Sequence, residues 1–141
     1  MLMIRKITQE DKSSFQQFCD RVGTKEILDG PEIYWGIFNN SELLGYTKID
    51  FDSLIVPLIN DLQTTDLLEP SIIEGLLRGT FHYCSTQNYE IVTVRHFHWL
   101  KYYLKEALDI TEKKTYNNAA FYEINLTKFF NKPCKGRSPC P

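Results

Sequence analysis

Three groups of side chains in this sequence have chemistry open to them. His82, Cys84, His96 and His98 are the residue types that ligate borderline metals. His82 and Cys84 stand two apart within a helical pattern, so they leave the helix on different faces. His96 and His98 share a face only if a strand runs through both. They would then lie near the C-terminal edge of a sheet, where open α/β sheets take ligands. Cys134 and Cys140 form the second group, in "NKPCKGRSPCP". Such a pair can hold a soft metal or close a redox-sensitive disulfide. Two ligands do not complete a zinc site and no C-x-x-C spacing is present, so a reduced, irregular tail is the plainer reading and no metal site is expected. The third group is Glu32, Asp50, Asp52 and Glu90. Any of these carboxylates has the chemistry of a general base, but the sequence gives none of them a partner, and solvated surface carboxylates are the plainer reading.

The elements that must position these groups can be read from periodicity. Met3–Ile7 is a short apolar strand. Thr8 is placed as an N-cap, with Glu10 and Asp11 in the first turn at the positive helix end. Phe15, Phe18, Cys19 and Val22 follow at helical spacing up to Gly23, and residues 24–29 add a short helical turn. Glu32–Phe38 and Leu43–Asp50 form a hairpin around "NNSE", since Asn tolerates left-handed turn conformations. Leu54–Asn60 reads as a strand with Pro57 at a bulge, and residues 61–69 as a polar, acidic connection. Pro70 opens a helix whose face is Ile72, Ile73, Leu76, Leu77, Thr80, Phe81 and Cys84. Gly75 and Gly79, four apart, let that helix sit close on a sheet. Glu90–Arg95 is a strand. His98–Leu108 is a helix with Leu100, Tyr103 and Leu104 on one side. Ile110–Tyr116 and Ala119–Leu126 form a second hairpin.

The 141 residues suit one domain. Residues 1–128 are expected to form it, with 129–141 as a flexible tail. The net charge of −2 argues against a nucleic-acid partner recruited by bulk positive charge. No apolar run approaches the roughly 18 residues that span a bilayer, so no membrane partner is expected. The N-terminus lacks the shape of a signal peptide, so a cytoplasmic chain with reduced cysteines is expected. The order β-α-(α)-β-β-β-α-β-α-β-β implies an α/β (α+β) fold, a mixed sheet with helices on its faces.

Over roughly residues 3–126 this order resembles the GNAT (GCN5-related N-acetyltransferase) fold. "MIRKITQEDKSSFQQF" looks like the first strand and helix of that family, and "YWGIFNNSELLGYTKID" like its second and third strands. "HFHWLKYYLKEAL" is similar to the late pattern N-x-x-A-x-x-x-Y-x-x-x-G-F. In that register His96 stands at Asn, Trp99 at Ala, Tyr103 at Tyr and Ala107-Leu108 at Gly-Phe, so the Tyr alone is retained. The resemblance implies acetyl-CoA as cofactor, held in a cleft between splayed strands. Leu58, Ile59 and Asn60 would line it with strand backbone, and Arg78 would contribute a charge. It implies Tyr103 as the general acid that protonates the departing thiolate, and a small-molecule or peptide amine as acceptor. It leaves a homodimer open. The family signature Q/R-x-x-G-x-G/A is absent: the equivalent "NDLQTTDLLEPSII" has no glycine and carries Asp61, Asp66 and Glu69. Glycines there admit backbone N–H groups to a pyrophosphate, and carboxylates repel one.

Two functions therefore stand side by side. One is an N-acyltransferase moving an acyl group from CoA to an amine. The other is a non-catalytic GNAT-like binding or interaction module that no longer holds CoA. A metal or redox protein built on the cysteine tail ranks behind both.

Overall fold

A computed structural model describes residues 2–52, 56–64, 70–95, 114–116 and 119–131. The elements are β1 (Leu2–Lys6), α1 (Lys12–Val22), β2 (Ile33–Asn39), β3 (Glu42–Asp50), β4 (Leu58–Thr64), α2 (Pro70–Thr86), β5 (Ile91–Arg95), β6 (Lys114–Tyr116), β7 (Ala119–Asn125) and α3 (Leu126–Asn131). The strands form one sheet in the order β1-β2-β3-β4-β5-β7-β6. β4 and β5 pair parallel, and the other described neighbours pair antiparallel. The expected mixed α/β sheet with flanking helices is what the chain forms.

Local chemistry accounts for the first helix. A 3-10 turn, Gln9–Asp11, leads into α1. The Asp11 carboxylate accepts from the Thr8 N–H at 2.9 Å and from both Arg5 terminal nitrogens at 2.7 and 2.8 Å. Those bonds to Arg5 hold it below the usual carboxylate range. The Gly23 N–H closes α1 on the Cys19 carbonyl at 2.9 Å. In the β2–β3 hairpin Asn39 faces Glu42, and Asn40 takes the left-handed conformation (φ 56°) that the tight turn requires.

Each face of the sheet has its own core. On one side Phe15, Phe18 and Cys19 of α1 pack on Ile7, Tyr34 and Tyr46. On the other, Leu77 and Phe81 of α2 pack on Ile49, Ile59, Leu62, Val92 and Val94. The small residues of α2 make the close approach: a Cβ on Gly79 would lie 2.6 Å from Ile4 Cγ2 and 3.3 Å from Trp35 Nε1. Gly79→Ala is expected to destabilise the fold by about 1 kcal/mol. Overpacking costs about 1–3 kcal/mol, and the better helix propensity of Ala returns up to about 1 kcal/mol. Thermal denaturation checks the sign. A variant more stable than wild type would mean that Ile4 yields freely.

The structure corrects the sequence reading at three places. Residues 24–29 add no helical turn. The strand read as Leu54–Asn60 begins after Pro57 and runs to Thr64, because β3 hydrogen-bonds this stretch: Asp61 pairs with Lys48, Leu62 with Thr47 and Gln63 with Tyr46. The boundary drawn at residue 128 cuts through α3, whose Phe129 is 7% exposed and sits in the α2-side core. Residues 132–141 lie outside the described residues. No described helix is long and apolar enough to cross a membrane.

Candidate active site

Among the described residues β4 and β5 pair at Leu58↔Thr93 and Ile59↔Val94. β4 continues to Thr64 along β3, and β5 is described as far as Arg95. The register with β3 steps from Lys48↔Asp61 to Ile49↔Ile59, which leaves Asn60 without a β3 partner. A bulge of this kind bends its strand and raises the local twist. It falls one residue past the last described pair of β4 with β5. Arg95 Nη1 reaches across to Asn60 Oδ1 at 3.3 Å.

One residue beyond the bulge stands Asp61. Its Oδ1 accepts from the Leu62 N–H at 2.9 Å and from Gln63 Nε2 at 3.1 Å. Its Oδ2 accepts from the Tyr46 hydroxyl at 3.4 Å and from Gln63 Nε2 at 3.4 Å. Burial pushes the Asp61 carboxyl above the usual range, and the Gln63 and Leu62 donors oppose this. Glu26 adds to the rise and Lys48 opposes it. Tyr46 is fully buried, and burial raises its hydroxyl so that it stays neutral at ordinary pH. A partly buried carboxylate with a raised pKa, beside a strand bulge, is chemically suited to take up a proton.

A cavity of about 790 Å³ opens on the same side of the sheet, lined by Thr24, Glu26, Ile27, Glu32, Tyr34 and Lys48 among others. Glu26 Oε2 accepts from the Tyr34 hydroxyl at 2.7 Å and from Lys48 Nζ at 3.0 Å. The ion pair is largely buried, with side-chain exposures of 17% for Lys48 and 16% for Glu26. It fastens the loop after α1 to the sheet, and Lys48 is also the β3 neighbour of Asp61. Cavity and carboxylate are thus one ladder step apart.

Neither a family model nor a curated protein sequence matches the chain. Solved structures do. An N-acetyltransferase from Staphylococcus aureus Mu50 superposes with a TM-score of 0.68 at 17% identity, over 90% of this chain and 99% of that one. A GNAT-family acetyltransferase from the same organism gives 0.66 at 13% identity, over 89% and 99%. The chain has the GNAT fold. A PaiA N-acetyltransferase from Thermoplasma acidophilum, solved in complex with coenzyme A, gives 0.64 at 12% identity, over 89% and 99%.

On this GNAT fold the expected site residues fall as follows. Leu58, Ile59 and Asn60 come together on β4 at and just beyond its described pairs with β5. Leu58 and Ile59 are buried at 7% and 0% exposure, and Asn60 is the bulged residue. Arg78 sits in mid-helix on α2, where its Nε donates to Glu74 Oε1 at 2.9 Å and its guanidinium lies 4.9 Å from the centre of the Phe129 ring. Its charge is engaged in helix packing. Tyr103, His96, His98, Cys134 and Cys140 lie outside the described residues, as does the stretch 65–69. His82 is exposed against the Phe130 ring, whereas Cys84 is fully buried with its thiol pushed up to about 12, so the two do face apart. Among the described residues no group of three His, Cys, Asp or Glu is placed to hold a metal. Of the four candidate carboxylates, Glu32 lines the cavity, Asp50 Oδ1 accepts from the Asp52 N–H at 2.8 Å, and Glu90 is exposed just before β5. The sequence pattern puts Asp61 in a loop, whereas the structure puts it on β4. The signal that could have found it is the polar pair Asp61 and Gln63 flanking apolar Leu62, the alternation of a half-buried strand.

Proposed function

We propose that this chain is an N-acyltransferase that moves an acetyl or other acyl group from coenzyme A to an amine, with Asp61 as its base. The observation that carries the reading is the Asn60 bulge of β4, one residue past its last described pair with β5, with a partly buried carboxylate beside it. The residues fit such a substrate in two respects. The bulge takes Asn60 out of the β3 ladder, so its backbone is available to a thioester. α2 begins only a short stretch beyond β4, and the positive end of a helix favours phosphate. The Thermoplasma neighbour was crystallised with coenzyme A, which supports the same donor here.

In this reading the amine enters through the cavity beside Lys48 as an ammonium. Asp61 takes its proton, and the neutral nitrogen attacks the thioester carbonyl. The new C–N bond forms as the C–S bond breaks; the nitrogen then sheds its second proton to water, and the leaving sulfur takes a proton. Tyr103 supplies that proton by the resemblance to the family. The acceptor is a small-molecule or peptide amine. A cytoplasmic setting and a homodimer belong to the same reading.

A second reading keeps the GNAT fold without CoA binding. It is favoured by the connection between β4 and α2, which lacks glycine and carries Asp66 and Glu69. Titration with acetyl-CoA by calorimetry separates the two. Ligand at 100 times Kd stabilises a fold by about 2.7 kcal/mol, so a rise of roughly 10 °C in thermal midpoint is expected alongside the isotherm. Absence of heat and of any thermal shift at millimolar acetyl-CoA would overturn the transferase reading in favour of the binding module.

A further inference from the structure

We propose that Gln63 is the positioning residue of this site: its amide fills Asp61 Oδ1 and leaves Oδ2 as the oxygen that takes the proton. The proposal rests on the reading of Asp61 as base. Gln63 and Asp61 stand two apart on β4 and so share one face of the strand. A carboxylate oxygen has two lone pairs. Those of Oδ1 are met by the Leu62 N–H at 2.9 Å and by Gln63 Nε2 at 3.1 Å. The two donors facing Oδ2, the Tyr46 hydroxyl and Gln63 Nε2, both stand off at 3.4 Å. That distance is at the outer edge of a hydrogen bond, so Oδ2 keeps the capacity that Oδ1 has lost.

The Leu62 donor is backbone and common to any sequence, which leaves Gln63 as the side chain that sets the asymmetry. The remaining charged or titratable groups around the carboxyl come from other elements. Lys48 and Tyr46 belong to β3 and Glu26 to the loop after α1, while Cys19 of α1 lies next to Tyr46. Lys48 is already paired with Glu26 at 3.0 Å, so it does not bind Asp61 in place of the amide. Donors to a carboxylate favour its charged form and so lower its pKa. Gln63 thereby works against the burial that raises it, and keeps the base ionised over a wider pH range.

The test is Gln63→Met, which keeps the length of the side chain and removes both donor contacts. The acid limb of the pH–rate profile is expected to move up by about one unit, because a donor to a charged group contributes on the order of 1.4 kcal/mol. Turnover then falls about tenfold below that limb, and the loss shrinks toward alkaline pH. A merely structural role would lower turnover by one factor at every pH. Gln63→Glu, which sets a second carboxylate against the first, is expected to move the limb further as the pair titrates together. Carbon-13 NMR titration of the Asp61 carboxyl in the substrate-free variants reads the same shift without turnover. An unmoved limb and an unmoved carboxyl titration in Gln63→Met overturn the positioning role while Asp61 stays as base. Full turnover in Asp61→Asn overturns the base assignment itself, and the proposal with it.

Discussion

Asp61→Asn is expected to lower turnover by about 10²–10⁴-fold, the range that a positioned general base contributes, without weakening the fold. The two halves of this expectation come from the same burial. Asn is close in size and still accepts from the Leu62 N–H, so the packing of β4 on β3 is preserved. It cannot take a proton from an ammonium, so the amine stays protonated in the site. The stability half follows from linkage. The folded-state pKa of Asp61 lies above its ordinary value, so the folded protein binds this proton more tightly than the unfolded chain does. Ionising the group therefore costs stability, and that cost is fully present above the folded pKa. Asn removes the cost. At neutral pH the variant should unfold at the wild-type temperature or above it, while its affinity for acetyl-CoA is unchanged. A catalytic role thus predicts activity and stability moving apart, whereas a structural carboxylate would lose both together. The measurement is kcat against an accepted amine, with calorimetric acetyl-CoA binding and thermal midpoints on the same preparations. Unaltered kcat would remove Asp61 from the mechanism.

The parts of this fold that were legible in the sequence are those where one local rule acts without interference. The β2–β3 hairpin is announced by aromatic and β-branched runs on either side of Asn40, and Asn40 does adopt the positive φ that the turn needs. The buried face of α2 follows from helical spacing alone: Leu76, Leu77, Phe81 and Cys84 are each 0% exposed. Gly75 and Gly79 follow the same logic of close packing: a Cβ on Gly75 would lie 3.3 Å from Ile4 Cδ1 and one on Gly79 2.6 Å from Ile4 Cγ2.

β4 was legible only in part, and the site went with it. A bulge inserts one residue and breaks the period-two pattern by which a strand is recognised. Here the break falls at Asn60, so Leu58 and Ile59 read as strand while Asp61 and Gln63 read as loop. Those polar residues are stable in the sheet because of partners far away in sequence. Tyr46 and Lys48 lie on β3, and Glu26 lies on the loop after α1. No window of one strand contains them. The same limit applies to Arg78, whose free-looking charge is satisfied by Glu74 one turn back and by Phe129 from the far end of the chain.

The last of these contacts leads to the largest expected loss of stability, Phe81→Ala. Phe81 is 0% exposed and belongs to the core between α2 and the sheet. Its ring meets that of Phe129 edge-on, with centroids 5.2 Å apart and planes at 87°, the arrangement in which the positive rim of one ring faces the negative face of the other. Truncating a buried Phe to Ala costs about 3–5 kcal/mol, the transfer term plus the cavity left behind. Against the 5–15 kcal/mol that stabilises an ordinary domain, this is a fifth of the total or more, and it should lower the thermal midpoint by about 10 °C or more. Phe129→Ala should cost nearly as much, because Phe129 is 7% exposed and also touches Phe130 at 5.1 Å. The two losses should not add: each substitution removes the same ring contact, so the double variant should be less destabilised than the sum by about 0.5–1.5 kcal/mol. Denaturant melts of the two single variants and the double variant supply the cycle. The comparison also decides where the domain ends. If α3 is part of the fold, Phe129→Ala behaves as a core truncation and couples to Phe81. A Phe129→Ala variant within about 0.5 kcal/mol of wild type, the usual range for surface substitutions, would return α3 to the tail and leave Phe81 to be covered by some other part of the chain.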